Sequence, residues 1–469
     1  MVSRGCLVLI ALTSGTLALA DEPKLDGYRL EASLQAAIGR AEPAIACVQV
    51  FRARDTAPDP SRPQPEPTRS APPDFYGSGV VIDPSGLVLT CYHVVRDEKN
   101  IQRIAVRLPP YADNPSREYS AIVYASDYRS DLAVLKLQAA GPFPALAVGR
   151  GEDLRKGSMV LALGHPYAAG FRDGSASASW GIVGNLRRRL PAGTNELDRD
   201  KPFAAFGTLV QTDARLQLGS SGGALVNLDG KLVGVTTATA AISGVEAPGG
   251  YAVPLDANTR RIVDVLMRGE EVEYGFLGVN TADDLFRGRR YTGPGVQLTT
   301  VAHNSPASRA GLMIHDVILK VNGQPIRDRD DLFLALGASL AGRRAELLIR
   351  SGETGREQIV SVVLAKSASK YAKNVVTNRP TAYGGLRVDY TSVADAGDKA
   401  IPEGVVVRES QGHAKAAGLT ENDIITEVNG QPVNSPVEYY RMAEKASKAG
   451  DSLRLTLRGT PARTVTLPW

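Results

Sequence analysis

The last part of the chain repeats itself. The strings "SPASRAGLMIHDVILKVNGQPI" (Ser305 to Ile326) and "GHAKAAGLTENDIITEVNGQPV" (Gly412 to Val433) share Ala-Gly-Leu, an Asp four residues after that Leu, and the whole of Val-Asn-Gly-Gln-Pro. Their offset, 433 − 326 = 107 residues, is too long for a solenoid repeat and suits a domain. The chain therefore ends in two copies of one module, and what precedes them must bury a core of its own. A length of 469 residues agrees with about three domains at roughly 100 to 200 residues each.

Each module is expected to open on a Gly-containing apolar strand, "YGFLGV" at Tyr274 to Val279 and "YGGLRV" at Tyr383 to Val388, and to carry a later helix. The second helix opens Ser435-Pro436-Val437-Glu438, where Ser can cap, Pro suits the first helical position and Glu completes a capping box. A strand beside a helix, entered by a Gly-rich loop with open backbone N–H groups, adds an extended peptide as an extra strand and holds its terminal carboxylate. Candidate peptide contacts are Phe276, Leu277, Gly278 and Val279 in the first unit and Gly384, Gly385 and Leu386 in the second. Both units could instead be spacers, and Arg387 interrupts the apolar opening of the second. The expected boundaries are 270–366 and 382–469, with a linker at 367–381.

The N-terminus reads as an export signal. Arg4, the apolar run Leu7 to Leu12 and the small residues ending at Ala20 predict cleavage before Asp21, since the run is too short to span a bilayer as an anchor. Cys6 precedes the apolar run, which argues against lipid attachment. The mature chain keeps Cys47 and Cys91, which either pair or stand as two buried thiols. A net charge of +4 gives no warrant for nucleic acid, and the cluster Arg187 to Arg189 reads as a solvated loop.

Between these ends the pattern is mostly strand. A helical segment is expected over 21–42, with Leu30, Leu34, Ala37, Ile38 and Ala41 at helical spacing and Pro43 ending it. Short β-branched runs follow at Cys47–Phe51, Gly79–Ile82, Leu87–Thr90, Ile104–Leu108, Leu132–Leu137, Val160–Leu163, Leu209–Thr212, Ala224–Val226 and Leu232–Thr237. Many short strands with little helix predict an antiparallel barrel or sandwich over 43–255, closed by a helix at Asn258 to Arg268 with Gly269 as its stop, so that the unit spans 43–269. The Pro- and Arg-rich stretch 55–73 is expected to be a mobile loop.

Three separated residues carry the chemistry. His93 ends a hairpin strand in "LVLTCYHVV", Asp131 opens another in "YRSDLAVLKL", and Ser221 lies in "LGSSGGALVN". A serine hydroxyl is a poor nucleophile until an imidazole takes its proton, and the imidazole needs a carboxylate to fix its tautomer and stabilise its charged form. The chain order His, Asp, Ser is that of the chymotrypsin arrangement. The backbone N–H groups of Gly219 and Ser221 are candidate donors to the oxyanion, each worth roughly 3 kcal/mol in the transition state. Ser221, rather than Ser220, precedes the Gly-Gly pair and is the candidate nucleophile.

With these strings in place, the chain resembles the HtrA/DegP-type serine proteases over almost all of its mature length. The resemblance implies a mainly β protein, with a double β-barrel trypsin-like protease domain followed by two α+β PDZ domains. It further implies an ATP-independent endoprotease of unfolded or damaged envelope proteins, usually a homotrimer or larger homo-oligomer, often with chaperone activity, in which PDZ occupancy helps order the catalytic loops. The sequence departs from the family's usual Asn at Ser220 and at Cys91, and from its Asn-Pro at Gln217-Leu218. Arg215 stands where Ala is usual, near the specificity pocket; turned inward it would alter the family's preference for small aliphatic P1 residues, and turned outward, the expected case, it leaves Leu216 to line an apolar pocket.

No phosphate-cradling Gly loop appears, and His165, His303, His315 and His413 form no metal-ligand spacing, so neither ATP nor a metal or other cofactor is expected. The competing expectations are a PDZ-based holdase or scaffold with a resting or inactive protease fold, and a narrow processing protease with PDZ units for targeting.

Overall fold

A computed structural model describes residues 27–53, 73–96, 98–111, 115–189, 208–237, 250–281, 291, 293–367, 374–393, 401–459 and 461–468. The expected signal at 1–20 and the expected loop at 55–73, apart from Pro73, lie outside them. The first helix, α1 (Gly27–Ala41), buries Ala37 and Ala41 in the core shared by the two barrels that follow. Its Arg40 guanidinium donates to the carbonyls of Asp229 and Leu228 at 3.0 and 3.2 Å, which pins the helix to a hairpin turn of the second barrel.

The first barrel comprises β1 (Ile45–Arg52), β2 (Phe75–Asp83), β3 (Leu87–Cys91), β4 (Ile101–Leu108), β5 (Arg117–Asp127) and β6 (Leu132–Leu137), closed in the order β1-β2-β3-β6-β5-β4. A single helical turn, α2 (Tyr92–Val95), leaves the end of β3. The second barrel comprises β7 (Met159–Gly164), β8 (Ser177–Arg188), β9 (Leu209–Thr212), β10 (Ala224–Val226), β11 (Leu232–Thr237) and β12 (Gly250–Pro254), closed in the order β10-β11-β12-β9-β8-β7. Closure leaves neither sheet with an open edge.

Three barrel strands, β5, β8 and β12, escaped the sequence pattern, and the first two are bulged. The register of β5 against β6 shifts between Val123 and Ala125, and that of β8 against β9 shifts twice. Each bulge breaks the two-residue alternation by which strands are recognised. The Ser- and Gly-rich β8 also leaves Trp180 exposed, so its apolar residues do not mark one inner face.

The helix α3 (Ala257–Met267) is capped by Asp256, whose carboxylate accepts from Thr259 N–H at 2.8 Å. Ile262, Val263 and Leu266 join the core of the first barrel. Beyond it, β13 (Gly275–Phe276) pairs with β20 (Ala365–Lys366). The main sheet of the first module runs β14 (Val279–Thr281), β15 (Val296–Val301), β16 (Val317–Val321), β18 (Arg344–Arg350), β19 (Glu357–Val363), with β17 (Gln324–Pro325) folded back on β16. It carries the helices α4 (Pro306–Arg309) and α5 (Arg329–Ala338). The second module repeats the plan with β21 (Leu386–Tyr390), β22 (Val405–Ser410), β23 (Ile424–Val428), β25 (Leu453–Leu457) and β26 (Arg463–Leu467), with β24 (Gln431–Pro432) on β23 and helices α6 (Gly412–Ala416) and α7 (Pro436–Ala449).

The openings of the two modules are not the continuous strands their apolar content suggested. In the first, Leu277 and Gly278 form a turn between β13 and β14, with Gly278 at φ +83°. In the second, Gly384 and Gly385 form the turn before β21, at φ +60° and +85°. Ala307 N–H donates to Leu277 O and Ala414 N–H to Gly384 O, pairs that are 414 − 307 = 384 − 277 = 107 apart. The period of the repeat therefore extends through the turn, making Tyr383 the counterpart of Phe276 rather than of Tyr274.

The segment expected to be a linker is docked. Val376 bridges Ala125 antiparallel to β5, Ser126 N–H donates to Val375 O at 2.9 Å, and Thr377 Oγ1 donates to Tyr124 O at 2.8 Å. Lys366, 5% exposed, places its ammonium 2.8 Å from Asp389 and 2.9 Å from Glu271, tying the second module to the stretch that follows α3.

Tyr439 is fully buried in the second module, and among the described residues its hydroxyl has no hydrogen-bond partner. An unsatisfied buried hydroxyl costs about 1–3 kcal/mol. Replacing Tyr439 by Phe is therefore expected to stabilise that module by about 1 kcal/mol, read as a higher urea midpoint with an unchanged slope; a lower midpoint contradicts the packing described.

Candidate active site

Asp131 lies in the turn between β5 and β6 and takes a left-handed backbone, φ 58°. From there its carboxylate accepts twice from one residue, with His93 N–H on Oδ1 at 3.0 Å and His93 Nδ1 on Oδ2 at 2.7 Å. The Asp131 carbonyl accepts from Tyr92 N–H at 2.8 Å. Three bonds thus fasten the turn to the first residues of α2 and require Nδ1 to carry the proton, which leaves Nε2 as the acceptor. Burial works to lower the His93 pKa, but the charge and hydrogen bond of Asp131 outweigh it and raise the pKa above the ordinary 6.5.

Ser221 comes from the second barrel, in the turn before β10, and is 6% exposed. Glycines let the two barrels close on it. A Cβ on Gly77 would lie 2.8 Å from Val94 of α2 and 3.0 Å from Ser221 O, and one on Gly222 would lie 2.2 Å from Ser78 O and 2.4 Å from Thr90 Oγ1. Ser78 N–H donates to Ser221 O at 2.7 Å. The turn carrying Ser221 is thereby fixed against β2 and β3, the strands that lead to His93, so His93, Asp131 and Ser221 gather at the junction of the barrels.

The preceding residues are held peptide by peptide. Tyr167 N–H donates to Leu218 O at 2.7 Å. In a trans peptide the C=O and N–H point oppositely, so this bond aims Gly219 N–H away from Tyr167. Gly219 is at φ +96°, and a Cβ there would lie 2.6 Å from His165 O. Ser78 Oγ donates to Gly219 O at 2.8 Å and accepts from His165 N–H at 2.8 Å. Ser220 Oγ accepts from Gln217 N–H at 3.2 Å, and its carbonyl accepts from Thr236 Oγ1 at 2.6 Å. Ser220 closes the turn.

Arg215 is exposed, its carbonyl accepting from Ser179 Oγ at 3.0 Å. Leu216 is half-buried beside Gly250, where an added Cβ would meet Leu216 Cδ1 at 2.5 Å. Cys47 and Cys91 are free, buried thiols. Among the described residues, Cys91, His93 and Asp131 alone form a group of three metal-ligand types with donor atoms within 4.8 Å of one another. Its donors are already engaged, because the Cys91 thiol donates to Thr236 O at 3.5 Å and Asp131 holds His93. Sequence reasoning missed Ser78, His165 and Tyr167. Ser78 was legible only as a small residue between two glycines, and His165 and Tyr167 offered no local pattern.

In the modules, Ala307 N–H on Leu277 O and Ala302 N–H on Gly278 O turn those two carbonyls inward. The Gly278 N–H therefore faces the other way, at the end of the edge strand β14. Gly384 O and Gly385 O are held likewise by Ala414 and Gln411. The modules differ where the helix meets the edge strand. Val388 N–H, on the edge strand β21, donates to Tyr440 Oη at 3.2 Å, whereas the residue 440 − 333 = 107 earlier is Phe333, which has no hydroxyl. No helix among the described residues is long and apolar enough to cross a membrane.

Residues 77–235 match the family model of the trypsin-like peptidase domain, and residues 275–362 match that of the PDZ domain. A probable periplasmic serine endoprotease, DegP-like, of Pseudomonas fluorescens is 32% identical over 402 residues, covering 83% of this chain and 78% of the relative. The periplasmic pH-dependent serine endoprotease DegQ of Escherichia coli is 31% identical over 372 residues, covering 78% of this chain and 75% of the relative. Among solved structures, the HtrA-type protease AlgW with a tripeptide superposes with a TM-score of 0.53 at 25% identity, over 71% of this chain and 97% of that one.

Burial pushes the Cys47 pKa up to about 12 and raises that of Cys91 well above 9.0. At pH 8 the thiolate fraction of Cys47 is then on the order of 10⁻⁴, and Cys91 likewise stays a thiol. Neither thiol is expected to react with Ellman's reagent in the native protein within an hour, while both react once it is unfolded; rapid native reaction of either contradicts the burial.

Proposed function

Because the chain belongs to the HtrA/DegP-type serine endopeptidases that carry PDZ modules, we propose that His93, Asp131 and Ser221 form its catalytic triad and that it degrades unfolded or damaged proteins of the cell envelope. The observation that carries this reading is the double tie of Asp131 to His93. Ser221 Oγ attacks the scissile carbonyl while His93 Nε2 takes its proton and then passes it to the leaving amine. Asp131 holds the productive tautomer and stabilises the imidazolium. The oxyanion is received by the N–H groups of Gly219 and Ser221, the former already oriented by the anchoring of Leu218 O on Tyr167. Leu216, with Arg215 turned to solvent, offers an apolar pocket suited to small aliphatic side chains before the cut. The chain acts in the periplasm, as its relatives' names state of them.

The first PDZ module is assigned the capture of peptide C-termini. Its edge strand β14 ends at an open Gly278 N–H, which suits a terminal carboxylate. In the second module Tyr440 occupies the backbone of Val388 that an incoming strand would use, so that module serves other contacts.

Ser221→Ala is expected to reduce casein hydrolysis by about 10⁴-fold or more. The base must be neutral, so kcat/KM falls as pH drops through the His93 pKa, with a midpoint above 6.5. Asp131→Asn should lower kcat by about 10⁴-fold and move that midpoint downward, because burial then acts on His93 without its counter-charge. Hydrolysis that survives Ser221→Ala ends the triad reading, and suppression of client aggregation by Ser221→Ala alongside lost hydrolysis marks a separate holdase function.

A peptide with a free C-terminal carboxylate should bind the full chain, and Gly278→Ala should weaken it about tenfold or more, since a Cβ there would lie 2.4 Å from Ser305 Cβ. Gly385→Ala should leave the affinity unchanged; the reverse pattern, read by fluorescence anisotropy, assigns binding to the second module.

A further inference from the structure

The turn that presents Asp131 is gripped from outside the protease unit. Asp127, 1% exposed, accepts from Ser130 N–H at 2.9 Å across the turn, from the Tyr274 hydroxyl, and from Asn374 Nδ2 at 3.4 Å. The next residue, Tyr128, donates its N–H to Asn374 Oδ1 at 2.9 Å. Ser126 bonds Val375 in both directions, through its N–H to Val375 O and from Val375 N–H to its Oγ, each at 2.9 Å. The Arg129 guanidinium lies 4.9 Å from the Tyr274 ring and 4.8 Å from that of Phe333 on α5. Each of the residues 126–129 thus touches either the first PDZ module with its approach or the segment between the modules. Burial and the Asp127 charge both raise the Tyr274 pKa, so its phenol stays a donor.

We propose that Asp127 is a positioning residue through which the tail controls catalysis: Tyr274 and Asn374 fix its carboxylate, the fixed turn sets Asp131 beneath His93, and undocking of segment 374–378 lowers turnover. This rests on the triad reading above and adds to it the element that regulates Asp131. The route is short. From Asn374 the path runs through the Asp127 carboxylate to Ser130 N–H, and Ser130 is followed directly by Asp131. Arg129 adds a second grip, so a shift of α5 on loading the neighbouring groove acts on the same turn. A tether that merely joined two modules would need none of these bonds.

The test uses the full chain with three changes: Asp127→Asn, the milder Tyr274→Phe, and replacement of residues 374–378 by Gly and Ser at equal length. Each is expected to lower kcat for a short peptide substrate about 10- to 100-fold while KM stays within about twofold, because the reacting groups are misplaced and the pocket is not. Thermal midpoints identify any variant that fails to fold, and Tyr274→Phe, which keeps the ring, then decides. In a Ser221→Ala background the same changes should speed hydrogen exchange of the 126–131 amides while leaving β1 and β3 protected. This second readout is independent of turnover and stands even if Ser221→Ala proves to retain hydrolysis. Folded variants with wild-type kcat and unaltered exchange at 126–131 overturn the proposal, as does a loss carried by KM alone.

Discussion

The site depends on one carboxylate making two bonds to one residue. By holding both the backbone N–H and Nδ1 of His93, Asp131 fixes the ring's position and its tautomer together. A single bond to Nδ1 would leave the ring free to swing about it. Two bonds to atoms on either side of Cβ do not. The arrangement requires Asp131 at φ 58°, a conformation that costs a residue with a side chain about 1–3 kcal/mol and persists only where the surroundings impose it. Here they do so through the Asp131 carbonyl on Tyr92 N–H and through the Asp127 carboxylate on Ser130 N–H.

The division of labour between the barrels follows from the same constraint. His93 and Asp131 come from adjacent strand ends of the first barrel, so their relation is set within one closed sheet. Ser221 comes from the second barrel, and its placement depends on how closely the two can approach. Gly77 and Gly222 occupy that contact, where any Cβ would meet Val94, Ser221 O, Ser78 O or Thr90. Ser78 is the hinge pin of the junction. Its N–H holds Ser221 O, and its hydroxyl joins Gly219 O to His165 N–H. His165, fully buried and with its pKa pushed down to about 4 by burial, keeps a neutral ring in that wall.

Much of this was legible in the sequence where the chemistry is local. The strands β1 to β4, β6, β7 and β9 to β11, the α7 cap at Ser435 and the repeat at 107 residues each have a signature within a short window. His93, Asp131 and Ser221 were singled out because each sits in its own patterned string. What escaped was whatever depended on distant segments. Bulges hid β5 and β8, and nothing near Ser78 announces that it faces a turn more than a hundred residues away. Segment 374–378 reads as a linker because its partners, Ser126, Asp127 and Tyr128, are remote in sequence and bond largely through backbone and one amide. The departures at Ser220 and Cys91 are absorbed in the same way, by a turn-closing hydroxyl and a thiol bonded to Thr236 O.

The duplicated modules show how little sequence change separates two uses of one fold. The same period that aligns Leu277 with Gly384 aligns Phe333 with Tyr440. In the second module the added hydroxyl reaches the edge strand and spends its hydrogen-bonding capacity on Val388. In the first, the ring without it packs beside Arg129 of the turn that leads to Asp131. One oxygen atom thus ties the helix to the edge strand in one copy, while the corresponding ring of the other copy lies against the turn that leads to Asp131. Lys366, buried among Asp389, Glu271 and Glu273, then fastens the second copy to the neck that follows α3. A buried ammonium is tolerable only with such counter-charges. Lifting the second module off the neck would strip Asp389 from it, so the second copy stays coupled to the place where the first meets the protease.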